Sequence, residues 1–190
     1  MGKWDKQQKK EFRKQCIYSV LATDLSKHFD TITHVKAIKM VSDKEMEYVF
    51  KSVIKMSDLS HVSKPLNQHQ IWTKRITQEF HDQGDKEIEN GLEVSPLCNK
   101  QNKKIAQGQV GFIKHLVAPL FESSQRFFAK GGKFDKVIMK RMNDNRVFWE
   151  MEARKEESIS RMTTLTRSQA VTTEESTSQT PAISTKTLPP

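Results

Sequence analysis

The order S-D-L-S-H (57–61), W-T-K-R-I-T-Q-E-F-H-D-Q-G-D-K-E (72–87), S-P-L-C (95–98), G-Q-V-G-F-I (108–113) and P-L-F-E (119–122) decides the fold. Trp72, Ile76 and Phe80 recur every fourth residue, which places them on one face of a helix that starts after the Lys64-Pro65 step. Gly84 and Gly91 punctuate the segment beyond, and Pro96 interrupts it again. From about Asn102 to Phe128 runs the strongest apolar stripe in the chain, carried by Ile105, Phe112, Ile113, Leu116, Val117, Leu120 and Phe121. Pro119 lies inside that stripe and predicts a kink or a local loosening, because it removes one amide donor and crowds the preceding turn.

Working outward, Ser42 and Glu45 form a capping box, so a helix begins there and carries Met46, Val49, Phe50, Val53 and Ile54 on one stripe to about Met56. Asp58 follows directly, presented by the end of a rigid element. Further upstream, Phe12, Cys16, Ile17, Val20 and Leu21 predict a lysine-rich helix over about Asp5 to Phe29, followed by a connector around Thr31 to Val41. Downstream, Gly131-Gly132 is a stop, and Phe134, Val137, Ile138, Met142, Asn145 and Trp149 mark a last helix. Trp72, Phe121 and Trp149 read as core. The periodicity predicts an all-α domain over 1–152. A Ser/Thr-rich tail over 153–190 is expected to be disordered: from Ser158 onward it holds no aromatic residue and 15 of its 33 positions are Ser or Thr. Such a segment buries too little apolar surface to offset an ordering cost of about 1–2 kcal/mol per residue.

The chain has 190 residues, enough for one domain with a core. A hydrophobic share of 35%, a charged share of 29% and a mean hydropathy of -0.69 fit a domain plus an unpacked segment. No apolar run reaches the ~20 residues of a membrane span, and the N-terminus has no apolar signal core, so the expected location is cytoplasmic. Cys16 and Cys98 make no disulfide framework and read as reduced thiols. The net charge of +9 admits nucleic acid or anionic lipid as a partner, but lysines spread over polar helix faces more often serve solvation, and nucleic acid is disfavoured.

The quoted motifs, together with L-A-T-D-x-x-x-H at 21–28 and N-D-N-R-x-x-W at 143–149, resemble the C-terminal half of the catalytic domain of class I 3′,5′-cyclic-nucleotide phosphodiesterases. The resemblance implies metal-dependent hydrolysis of cAMP or cGMP to the 5′-nucleotide. It makes Asp58 a metal ligand, one member of a site for two divalent ions (Zn²⁺ with Mg²⁺ or Mn²⁺) that polarise the cyclic phosphate and acidify a bridging water. On spacing alone Asp58 is a turn aspartate bonding its own backbone. The resemblance likewise makes Gln109 the residue whose two-sided amide pairs with the purine edge, in either donor–acceptor order, where a helical glutamine is ordinarily solvated. Phe112 and Ile76 become the jaws of a clamp on the purine, though both also sit on apolar stripes that suit core packing. His61, Phe80 and Leu97 match further pocket positions. At His61 the usual following proline is replaced by Val62, which puts the loop shape in question. Asp85 and Glu87 read as fixing helix packing.

The family's H-N-x-x-H and H-D-x-x-H signatures occur nowhere in these 190 residues, and no two of the six histidines stand four apart. By the resemblance, the chain is a fragment that is inactive alone. It holds one metal ligand and the base-recognition wall, while the general-acid histidine belongs to an N-terminal half that is a possible partner. No catalytic residue is assigned. The alternative is a non-catalytic helical binding or regulatory module that uses its basic surface, with Lys3, Lys6, Lys9, Lys10 and Lys14.

Overall fold

A computed structural model describes residues 4–101 and 104–177, and every regular element among them is helical. Helix α1 spans Lys6–Leu21, α2 His28–Ala37, α3 Asp43–Asp58, α4 Leu66–Glu89, α5 Ile105–Gly111, α6 Ala118–Ser124 and α7 Lys140–Thr177. Short 3₁₀ turns at Leu25–Lys27, Ser60–Ser63 and Gln125–Phe127 redirect the chain, and π-helical segments occupy Phe112–Val117 and Phe134–Met139. The packing centre is α2, α3 and α6, with α5 laid along α7. Its core is Ile32, Met56, Val62, Ile113, Val117, Leu120, Phe121 and Met142. Each fully buried aliphatic side chain there contributes about 1.5–3 kcal/mol.

The start of α3 follows the expected cap: the Ser42 N–H donates to Glu45 Oε2 at 3.2 Å. The loosening expected from Pro119 is also present. Pro119 enters the first turn of α6, and the turns before it open into the Phe112–Val117 π segment. This has a packing consequence, because it divides the long stripe in two. Ile113 and Val117 go to the core, while Phe112 and Leu116 meet the cavity described below.

Several expectations need correction. The helix expected over Asp5–Phe29 ends at Leu21. There the Thr23 hydroxyl bonds back to Val20 O at 2.8 Å, and the Asp24 carboxylate accepts from both Ser26 N–H and Ser26 Oγ at 2.8 Å. Those local bonds offer the backbone an alternative to the helical ladder. The expected connector at Thr31 to Val41 is largely α2, whose buried residues His28, Thr31, Ile32 and Val35 follow a helical spacing. Half of that stripe is polar, so apolar periodicity passes over it.

Gly84 does not punctuate α4, which runs through it; a Cβ there would lie 2.2 Å from the Cys98 carbonyl oxygen, so the glycine permits a loop to rest on the helix. Trp72 is not core. It is 47% exposed with the Arg75 guanidinium 5.5 Å from its ring centre, because the buried line of α4 passes through His69, Thr73 and Gly84 instead. Finally, the tail expected from 153 begins as helix, since α7 continues to Thr177. No Gly or Pro interrupts residues 140–177, and Glu156 accepts the backbone N–H of Ala106 at 2.9 Å at the start of α5. Residues 178–190 of that tail, like Lys3 of the basic set, lie outside the described residues.

Candidate functional site

The six predicted substrate-contacting residues converge. His61, Ile76, Phe80, Leu97, Gln109 and Phe112 all line one cavity of about 250 Å³, together with Leu116 and Ile105. Each comes from a different local constraint. Ile76 and Phe80 lie one turn apart on α4 and so share its cavity side. Leu97 is held in the left-handed backbone region (φ 69°), a conformation that costs an L-residue about 1–2 kcal/mol. Its loop is pinned on either side. Glu87 accepts from Ser95 N–H and Oγ, both at 2.7 Å, and Cys98 rests on Gly84. The Lys100 ammonium pairs with Asp85 beside it. Asp85 and Glu87 thus fasten the S-P-L-C loop to α4, a packing role, and the Gln83 and Ser95 hydrogen bonds hold the Glu87 carboxyl below its ordinary range.

Gln109 is half-buried on α5, and Thr73 Oγ1 donates to its Oε1 at 3.3 Å, so α4 orients the amide. Phe112 follows at the first residue of the π segment. There it serves both readings offered for it, lining the cavity and packing against the core cluster. A π turn widens the helix locally and is often met at functional sites.

His61 sits in the 3₁₀ turn after α3 and is buried, stacked on Phe112 with ring centres 5.8 Å apart and planes 19° apart. The missing proline does not leave this loop loose. Val62 is wholly buried in the core, and Asn145 Nδ2 donates to Val62 O at 2.7 Å and Lys64 O at 3.0 Å. The N-D-N-R motif therefore clamps the turn that carries His61.

Behind His61 stand two residues that sequence reasoning passed over in this role. His69 Nδ1 lies 3.1 Å from His61 Nδ1, and Trp149 Nε1–H donates to His69 Nε2 at 2.7 Å. Burial pushes His69 down to about 4, with the His61 ring adding to the shift, and burial lowers His61 as well. Both rings are neutral near pH 7. The signal in the sequence was only a histidine on the buried line of α4 that Thr73 and Gly84 share.

Asp58 is placed differently. It is the last residue of α3, exposed, and does not line the cavity. One turn before it lies Lys55, whose buried ammonium donates to Asp24 O at 2.8 Å. Desolvation lowers the Lys55 pKa, against the raising effect of the Asp24 and Asp58 charges. Among the described residues no three His, Cys, Asp or Glu side chains come together in a way that would hold a metal ion. The donor set present does not fit a two-metal centre, which requires several converging anionic or imidazole ligands.

Comparison with known proteins supplies the context for this geometry. Residues 1–138 match the family described as 3′5′-cyclic nucleotide phosphodiesterase. The chain is 44% identical over 130 residues to the probable 3′,5′-cyclic-AMP phosphodiesterase pde-4 of Caenorhabditis elegans, which covers 62% of this chain and 19% of that protein. It is 30% identical over 158 residues to the dual 3′,5′-cyclic-AMP and -GMP phosphodiesterase beta of Plasmodium falciparum, covering 77% of this chain and 14% of the relative. Among solved structures, LmjPDEB1 in complex with IBMX superposes with a TM-score of 0.69 at 29% identity, covering 80% of this chain and 46% of the other. The chain thus spans about a fifth or less of the length of these curated relatives. No helix among the described residues is long and apolar enough to cross a membrane.

Proposed function

This chain belongs to the 3′,5′-cyclic nucleotide phosphodiesterase family, and we propose that it forms the nucleotide-recognition part of a catalytic domain that hydrolyses cAMP or cGMP to the 5′-nucleotide, in the cytoplasm. The observation that carries the reading is the convergence of His61, Ile76, Phe80, Leu97, Gln109 and Phe112 on one cavity. In this reading the purine lies between Phe112 and Ile76, and the Gln109 amide pairs with its edge. Stacking on a ring is worth about 1–3 kcal/mol per base and a two-point amide contact about as much. Asp58 is the one metal ligand that this chain contributes.

The remaining ligands and the general acid come, in this account, from an N-terminal half of the domain, so the chain alone does not hydrolyse cyclic nucleotides. Support comes from the apolar side chains exposed on the first helices, Val20 at 70%, Leu21 at 64%, Phe29 at 60% and Phe50 at 59%. Large apolar side chains left exposed on three successive helices suit a surface that another element covers. The test is to assay cAMP and cGMP hydrolysis by the purified 190-residue chain with Zn²⁺ and Mg²⁺, alone and mixed with a separately produced N-terminal half carrying H-N-x-x-H and H-D-x-x-H. The expected result is no turnover alone and turnover on mixing. Hydrolysis by the chain alone, abolished by Asp58→Ala, would overturn the division of labour.

A further inference from the structure

Trp149, His69 and His61 form a line of hydrogen bonds whose direction can be worked out from one end. An indole nitrogen is a donor only. Trp149 Nε1–H points at His69 Nε2 at 2.7 Å, so that nitrogen must offer its lone pair. A neutral His69 then carries its proton on Nδ1, which faces His61 Nδ1 at 3.1 Å. Two N–H groups cannot face one another, so His61 Nδ1 is the acceptor and its own proton sits on Nε2. That last nitrogen has no hydrogen-bond partner among the described residues, yet is not among the buried unpaired atoms, and the ring it belongs to lines the cavity and stacks on Phe112.

We infer that Trp149 and His69 are positioning residues that set the tautomer of His61, so that the cavity wall presents a fixed Nε2–H donor to an acceptor atom of the bound nucleotide. The identity of the ligand rests on the reading given under Proposed function; the tautomer relay does not. The depressed basicity of both rings supports the relay, since neither is charged near pH 7 and each keeps one donor and one acceptor nitrogen. The consequence for recognition is directional. An oxygen or an unprotonated ring nitrogen is accepted opposite His61, and an amino group there is refused, because its N–H would meet another N–H. A histidine free to change tautomer would accommodate both, so the relay narrows what the cavity takes.

The experiment is ¹⁵N NMR of the histidine ring nitrogens in the full chain at neutral pH. The expected pattern is His69 protonated at Nδ1 and His61 at Nε2, each as a single tautomer. The opposite assignment for either ring, or a mixture at His61, overturns the relay. Trp149→Phe should release His69 from its single form, and an unchanged pattern in that variant also overturns it. Should that variant not fold, His69→Asn, which keeps an N–H near the Nδ1 position, should preserve the His61 pattern, and His69→Leu should mix it. Equal patterns in these two would contradict the relay. Titration with 5′-AMP separates the two levels. A shift at the His61 Nε2–H together with the Gln109 amide supports the donor role, and a shift at Gln109 alone overturns it. No shift at either, with the tautomers as expected, counts against the nucleotide reading and leaves the relay standing.

Discussion

Asp58 and His61 are three residues apart, and the structure treats them in opposite ways. His61 is buried, stacked on Phe112 and bonded to His69, and its turn is clamped by Asn145. Asp58 is exposed at a helix end. The cavity side is completed by this chain's own later helices, with α4 and α5 lining it and α7 bonding its supports. On the side of Asp58, no three His, Cys, Asp or Glu side chains gather among the described residues to hold a metal ion. The difference teaches that one 3₁₀ turn can join a side chain enclosed by distant helices to one left at the surface, so neighbours in sequence need not share a structural role.

The comparison can be broken by substitutions on its two sides. The largest effect is expected from Asp58→Ala in the reconstituted enzyme: a loss of hydrolysis exceeding ~100-fold, since even groups that only support metal ligands are worth 10–100-fold. Folding stability should change by no more than about 0.5 kcal/mol, as for other exposed positions. A stability loss comparable to that of a core variant would show that Asp58 has a structural partner.

Gly84→Ala sharpens the other side. Its Cβ would meet the Cys98 carbonyl at 2.2 Å, and backbone must move to relieve it. Urea unfolding should show a loss of about 1–3 kcal/mol. Nucleotide binding should weaken with it, because the same loop carries Leu97. Unchanged stability would mean that the S-P-L-C loop is not held as tightly as its Glu87 bonds imply.

The smallest effect is a pH dependence to which the buried histidines contribute most near neutral pH. Burial lowers the pKa of His28, His61 and His69, the last to about 4. The unfolded chain binds these protons below about 6.5, whereas the folded chain does not bind one at His69 until about pH 4. Their contribution is therefore fully present above pH 6.5 and falls as the pH drops toward 4. Carboxylates lowered by hydrogen bonds, such as Glu87 and Asp135, lose theirs in a more acid window. Melting temperatures at pH 7.5 and 5 should differ, and His69→Leu should flatten that slope.

Much of this was legible in the sequence, for identifiable reasons. The Ser42–Glu45 box, the Lys64-Pro65 start and the Pro119 loosening are local signals that depend on backbone hydrogen bonding within a few residues. The six cavity residues were legible through their motif spacing, not through periodicity, which equally suited Phe112 and Ile76 for the core. What was not legible depended on partners distant in the chain. His69 meets Trp149 from 80 positions away. Gly84 serves a carbonyl 14 residues on. Glu156 reaches back 50 residues to α5, from just past the expected domain boundary at 152. The break of the first helix at Thr23 and Asp24 came from side-chain bonds that compete with the ladder, which an apolar stripe does not register.

The most direct test of the account is equilibrium binding of 5′-AMP to the purified chain, measured with and without divalent metal for the wild type, Asp58→Ala and Gln109→Ala. The account predicts binding that is indifferent to metal and to Asp58→Ala and that weakens by about 1–3 kcal/mol with Gln109→Ala. Binding that requires metal and disappears with Asp58→Ala, while Gln109→Ala leaves it intact, would contradict it.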